Sequence, residues 1–307
     1  MIKWSHMKKA IIAVIIIILL GVVGYFILQR SSPPTTVQNE ETDNKPAENT
    51  PAQVVQKPEN KEQTVIGKSV QGKEIVAYHY GTGTKELLFV GGIHGGYEWN
   101  TVLAGYELID YLKANPGVIP ANVKVTVIPV LNPDGLNKVV GTSARFAKTD
   151  VSLSQETVIS GRFNANNVDL NRNFDCDWQS SGKWQTRTVS GGSAVFSEPE
   201  SLAVKKYVEA NKPAAAVVWY SSAGGVFASN CHNGILPETT TITNLYAKAS
   251  GYPAYDNFDF YETTGDMVNW LAKINIPAIS VLLTNHSDTE WTKNKAGIEA
   301  LLKYYGN

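Results

Sequence analysis

From Thr64 to the C-terminus the sequence alternates short apolar runs with stretches of helical period, and that alternation admits few folds. Ile66 to Tyr80 alternates apolar and polar residues around Gln71-Gly72, which predicts a hairpin. Leu87 to Val90 reads as a short buried strand stopping at Gly91-Gly92. Glu98 to Lys113 places Val102, Tyr106, Ile109 and Leu112 on one stripe and ends at Asn115-Pro116, which predicts a helix. Val123 to Val130 is a second strand, closed by the turn residues Asn132-Pro133-Asp134-Gly135. Further on, helices are expected over Glu198 to Asn211, Thr241 to Ala249, Asp266 to Lys273 and Glu290 to Tyr305. Buried strands are expected over Ala214 to Tyr220 and Ala278 to Leu283. Strands alternating with helices bury both faces of a sheet, so the expected fold is α/β, with a mixed, mostly parallel central sheet and helices on both faces. In such sheets ligands bind beyond the strand ends.

The preceding residues read differently. Ala10 to Leu28 is nineteen residues without a charge. At about 1.5 Å per residue a helix of that length nearly spans a bilayer core of roughly 30 Å. Lys3, Lys8 and Lys9 precede it and Arg30 follows, so the expectation is a cytoplasmic flank (1–9), a single transmembrane helix (10–28) and a remainder outside the cytoplasm, with the lipid bilayer as a partner through residues 10–28. The rival reading is a cleaved signal peptide, but no small-x-small site follows Leu28. Residues 29–63 hold five prolines and almost no large apolar residue. Such a segment cannot offset its ordering entropy by burial, which predicts a disordered tether ahead of a domain over 64–307. A formal net charge of -1 gives no electrostatic case for nucleic acid as a partner. Two cysteines, Cys176 and Cys231, allow one bridge at most.

Two clusters carry residue types suited to chemistry. Gly91-Gly92-Ile93-His94-Gly95-Gly96-Tyr97-Glu98-Trp99 joins a strand to a helix, with His94 and Glu98 four residues apart and able to face one cation. The structural alternative is that Glu98 only favours a helix N-terminus and His94 only fills a loop. Asn167-Val168-Asp169-Leu170-Asn171-Arg172-Asn173-Phe174-Asp175 sets a guanidinium beside an amide, a pairing suited to gripping a carboxylate, although an Asn/Asp-rich loop also makes turns.

Together with Leu131-Asn132-Pro133-Asp134-Gly135, Phe196-Ser197-Glu198-Pro199-Glu200 and Tyr261-x-x-x-Gly265 with Trp270 downstream, these clusters resemble the zinc carboxypeptidase family of the carboxypeptidase A kind, in its bacterial branch that trims peptides or cell-wall stems. The resemblance covers roughly 66–305. It implies zinc as cofactor, held by His94 and Glu98, and a peptide or cell-wall peptide as substrate, its terminal carboxylate gripped by Asn171 and Arg172. It further implies Arg162 as the cation that polarises the scissile carbonyl, with Arg145 as second choice, and Tyr261 as a mobile cap on bound substrate. Val268 falls where the family lines its specificity pocket, and an apolar residue there argues against Lys or Arg side chains.

Three departures from the family pattern accompany that resemblance. The ligand pair is usually spaced His-x-x-Glu, whereas here one more residue intervenes. The third ligand is usually a histidine at a strand end, and Tyr220 takes that place. The general base is usually a glutamate on the late strand, and Leu282 takes that place. His232 is a secondary candidate for a displaced ligand, and Asp288 and Glu290 for a displaced base. His286 and His79 sit in no motif and read as surface or turn residues. The expectation is therefore a membrane-anchored, extracytoplasmic metallocarboxypeptidase with weakly bound zinc and weakened or lost hydrolysis. The alternative is an inactive relative that binds peptide C-termini or cell-wall peptides without cutting them.

Overall fold

The computed structural model describes residues 62–307. Its centre is an eight-stranded sheet: β1 (Gln63–Lys68), β2 (Glu74–Tyr80), β3 (Lys85–Val90), β4 (Val123–Ile128), β7 (Ala215–Ser221), β8 (Gly225–Ala228), β9 (Ala254–Tyr255) and β10 (Ala278–Leu283), in the order β1-β2-β4-β3-β7-β10-β8-β9. Strands β4, β3, β7 and β10 run parallel to one another, whereas β2 meets β4 and β8 meets β10 antiparallel. The expected mixed, mostly parallel sheet is thus present. A two-stranded ribbon, β5 (Ser181–Trp184) and β6 (Arg187–Ser190), stands apart from it.

Period-two alternation sends the core side chains to two layers. Leu87 and Phe89 of β3, Val217 and Trp219 of β7, and Val281 and Leu283 of β10 enter one layer. There they meet Val102 and Leu108 of α1 (Trp99–Ala114), Ile242 and Tyr246 of α5 (Pro237–Ser250), and Ile298 and Leu301 of α7 (Trp291–Gly306). Leu88, Val90, Val218, Tyr220 and Leu282 enter the other, against Val204 and Val208 of α4 (Pro199–Asn211) and Leu271 of α6 (Met267–Lys273). Each fully buried Leu, Val, Ile or Phe contributes about 1.5–3 kcal/mol relative to exposure. Helices on both faces are therefore required by the strand composition.

Several features depart from the sequence reading. Asn132-Pro133-Asp134-Gly135 does not simply turn: Asn132 caps a helix, α2 (Pro133–Val140), by accepting from Gly135 N, with Pro at its first turn. A further short helix, α3 (Gln155–Ser160), and strand β8 were too short to show a period. His79 lies within β2, its ring nitrogens bridging Thr64 Oγ1 and Thr126 Oγ1 at 2.8 and 3.0 Å, so it ties strands together.

The expected membrane architecture requires correction. Among the described residues no helix is long and apolar enough to cross a membrane. The span expected over 10–28, its flank 1–9 and most of the tether lie outside the described residues. The membrane anchor, the lipid bilayer as partner and the single-pass extracytoplasmic placement all rested on that span, and they are withdrawn with it.

Cys176 and Cys231 are joined, with Cα atoms 6.2 Å apart and a sequence separation of 55. Closing a loop of that length restricts the unfolded chain. Replacing both cysteines by serine should lower the unfolding free energy by about 2–4 kcal/mol in urea titrations under non-reducing conditions. An unchanged midpoint would show that the bridge contributes nothing to stability.

Candidate active site

The order β4-β3-β7-β10 reverses direction between β3 and β7, because β3 connects forward to β4 on one side while β7 is laid down on the other. Loops leaving the carboxyl ends of two such strands diverge and leave a crevice. His94 follows β3 and Tyr220 stands one residue before the end of β7, so both belong to that crevice. Leu282 of β10 stands directly beside Tyr220 in the parallel register, and both side chains point to the same layer.

Glycine shapes the turn after β3. Gly95 has φ +46°, and a Cβ there would come within 2.6 Å of the Gly161 carbonyl oxygen. The turn consequently lies against the backbone that precedes Arg162 and brings His94, Glu98 and Arg162 together. His94 Nδ1 stands 2.9 Å from Glu98 Oε1, and Nε2 stands 3.3 Å from Asp169 Oδ1. All are buried. Neither ring nitrogen of His94, nor Glu98 Oε2, has a hydrogen bond. Buried lone pairs left without partners on a histidine and a glutamate are what a cation-binding pair presents.

Arg162 Nε donates to Asp169 Oδ2 at 2.9 Å, Nη2 stands 2.9 Å from the same oxygen, and Nη1 lies 3.8 Å from Glu98 Oε1. Burial works against the Asp169 charge, but the Arg162 guanidinium, with His94 and Arg172, outweighs it and holds the carboxyl well below the usual carboxylate range. Burial likewise disfavours the charge on Arg162, and Asp169 and Glu98 more than restore it. The guanidinium also lies over the Trp184 ring, 4.4 Å from its centroid.

Asn171 and Arg172 sit in a 3-10 turn (Leu170–Arg172) that Asp169 caps by accepting from Asn171 N. Arg172 Nε and Nη2 donate to the Lys183 carbonyl and Nη1 donates to the Asn171 carbonyl, which engages three of its five donors. Asn171 Oδ1 accepts from the Tyr220 hydroxyl at 3.2 Å and from Met267 N at 3.1 Å. Burial pushes the Tyr220 phenol well above its ordinary value, so it stays protonated.

One cavity is lined by His94, Glu98, Asn171, Arg172, Tyr220, Tyr261, Val268 and Leu282. The structure therefore brings together the predicted residues of both sequence clusters. Around Val268 the lining is mixed, with Asp266, Asn269, Thr263, Asn230 and Asn257 beside Phe227, Ala228 and Phe258. A second cavity shares Glu98, Tyr261 and Leu282 with the first and adds Arg162, Tyr97, Trp184 and His286.

Other candidates are not brought here. Arg145 pairs with Asp110 on the surface. Glu290 accepts from Thr284 N, Tyr252 and Lys293, which, against the effect of burial, brings its carboxyl down to about 2, and Asp288 accepts from Glu290 N; neither lines a cavity. Cys176, Asp177, Cys231 and His232 bring ligand-type atoms within 4.8 Å of one another, a grouping of the kind that chelates metals. With the two sulfurs joined neither is a thiolate, and the exposed His232 meets Asp177 Oδ1 at 2.7 Å instead. Two residues of the site were missed in the sequence. Asp169 lies within its motif with no task assigned by the sequence, and His286, which reads there as a surface or turn residue, follows the carboxyl end of β10, where sites form.

The Asp169 charge gives a pH-dependent prediction. Its folded value lies below the unfolded value of about 3.9, so its contribution is present above that pH and is lost as the pH falls through and below it. Asp169→Asn leaves Arg162 buried without its partner and should cost about 3–5 kcal/mol near neutrality. Urea unfolding at pH 7, 5 and 3 should show the parent's advantage over the variant unchanged between the first two and starting to shrink between the last two. Equal stability at pH 7 would refute the linkage.

A family model described as zinc carboxypeptidase matches residues 52–297. The chain is 26% identical over 218 residues to gamma-D-glutamyl-L-diamino acid endopeptidase 1 of Lysinibacillus sphaericus, which covers 64% of this chain and 54% of that protein. Carboxypeptidase Z of Rattus norvegicus is 33% identical over 122 residues, 36% of this chain and 17% of that one. The chain thus spans about half or less of these curated relatives. Among solved structures, murein-tripeptide amidase MpaA from Escherichia coli O157 has a TM-score of 0.56 at 20% identity, over 79% of this chain and 92% of that chain, a likeness of fold.

Proposed function

Because this chain belongs to the zinc carboxypeptidase family, we propose that its cleft takes peptides by their free carboxyl end and hydrolyses the bond next to it. The observation that carries this reading is the buried Arg172, two of whose donors are left without a protein partner, in one cavity with the His94–Glu98 pair. In this reading Arg172 and the amide of Asn171 grip the terminal carboxylate. Arg162, held in place by Asp169, faces the scissile carbonyl and favours charge developing on its oxygen. Tyr261, which lines both cavities, closes over the substrate. The polar groups around Val268 suit a terminal residue with a polar side chain, and the diamino acid in the name of the Lysinibacillus relative makes cell-wall stem peptides the substrate class to try first.

His94 and Glu98 fit a zinc ion by donor type, and their unpartnered buried atoms support the assignment. Zinc, when bound, polarises a carbonyl and lowers the pKa of water. Tyr220 fits poorly as a third ligand, because its phenol stays protonated and gives its proton to Asn171. Two protein ligands imply weak binding. Dialysis against a mild chelator should leave substoichiometric zinc in the parent, and Tyr220→His should raise retention. Full retention by the parent would mean that another ligand completes the site.

A second reading, binding without cleavage, is favoured by one observation: Tyr220 and Leu282 lie side by side where the family pattern places an imidazole and a carboxylate. Both readings share carboxylate recognition. Hydrogen bonds to charged groups contribute about 1.5–3 kcal/mol, so C-terminal amidation should weaken peptide binding about tenfold or more by calorimetry. Arg172→Gln should abolish that preference. Equal binding of the acid and amide forms would remove both readings.

A further inference from the structure

Strand β10 carries no carboxylate, but the loop that leaves it carries His286, and the hydrogen bonds around that ring specify its tautomer. Asn100 of α1 is fully buried, and its Nδ2 donates to the carbonyls of Asn285 at 2.7 Å and Asp288 at 3.0 Å. The amide is thereby oriented, with Oδ1 as acceptor. Ser221 Oγ, 3.1 Å from that Oδ1, must donate to it. The hydroxyl proton is then committed, so Ser221 Oγ, 3.0 Å from His286 Nδ1, accepts from Nδ1–H. That leaves Nε2 with a free lone pair. The same relay is the reverse of an activated serine, because the Ser221 proton points to Asn100 and away from the imidazole.

Asn100 does two things at once: it clamps the loop on both sides of His286 and fixes the partner of the ring's N–H. The ring packs against Tyr97, with centroids 4.8 Å apart, and lines the second cavity with Glu98, Arg162, Tyr261 and Leu282. An imidazole held through one nitrogen, with the other unprotonated beside the reacting groups, has the arrangement of a general base.

We propose that His286 is the proton acceptor of this cleft, taking the part for which β10 offers only Leu282. The inference rests on the cleft being a peptidase site. Nε2 takes one proton from the attacking water as its oxygen bonds to the scissile carbonyl carbon. The same proton passes to the leaving nitrogen as the C–N bond breaks, which returns the imidazole to its neutral form. One water is consumed, and a carboxyl and an amine are released.

The groups facing His286 are Glu98, which favours its protonated form, and His94 and Arg162, which oppose it. Tyr97 and Tyr261 are neutral neighbours. Asp288 lies in the same loop, and Lys148 holds the Ser287 carbonyl at 2.8 Å. Burial is the largest influence and lowers the imidazole, so it is neutral near pH 7.

The test uses the full chain with zinc supplied and peptides ending in a free carboxylate. His286→Gln should lower kcat by roughly 10²-fold or more with KM changed only a few-fold, and should remove the acidic limb of the pH profile. Nitrogen NMR of the parent's imidazole should show the proton on Nδ1 and a bare Nε2 that responds to added peptide. A parent with the proton on Nε2 overturns the inference whatever the variant does. So does an unchanged kcat in His286→Gln. A parent that binds acid peptides over amides but does not cleave them overturns the base and leaves carboxylate recognition standing. A parent that does neither overturns the proposed function itself.

Discussion

The site hangs on one buried carboxylate. Asp169 takes Arg162 on one oxygen and approaches His94 with the other, while that second oxygen also caps the turn bearing Asn171 and Arg172. Its own amide donates to Ser190 O, and its carbonyl accepts from Arg172 N. Two segments far apart in the sequence, the turn after β3 and the loop before β5, therefore share an electrostatic centre. Such a cluster is poor value as a source of stability, because every charge has been taken out of water. What it supplies is placement: the residues assigned to gripping a carboxylate and those suited to a cation are held at a fixed spacing by a group that contacts neither cavity.

Much of the fold was legible because periodicity is local. A strand such as Leu87 to Val90, apolar on both faces, can only be buried between two layers, and helices on both sides follow from that. Asn132-Pro133-Asp134-Gly135 misled for a local reason too, since the residues that make a turn also start a helix: an Asn cap followed by Pro in the first turn. The membrane span rested on an uncharged run and its lysine flank, and among the described residues no helix is long and apolar enough to cross a membrane.

The site was legible where several signals fell together, as with glycine pair, histidine and glutamate after β3. It was illegible at His286. Nothing beside that residue marks it. Its orientation is set by Ser221 and Asn100, which lie 65 and 121 residues from their partners in the relay, and only the folded chain brings them into contact. Val268 shows the same limit from the other side. One apolar residue in a motif said nothing of the polar groups that surround it, because these come from other loops.

Strand order has a consequence in time. Strand β10 lies between β7 and β8, although both are synthesised first. Until β10 inserts, β7 presents an open edge of unpaired amides and carbonyls, flanked by residues as apolar as Val217, Val218 and Trp219. An edge of this kind invites any neighbouring chain. The nascent protein therefore passes through a stage when its stickiest strand is uncovered. The interval before β10 emerges is the one in which association with other copies competes with folding.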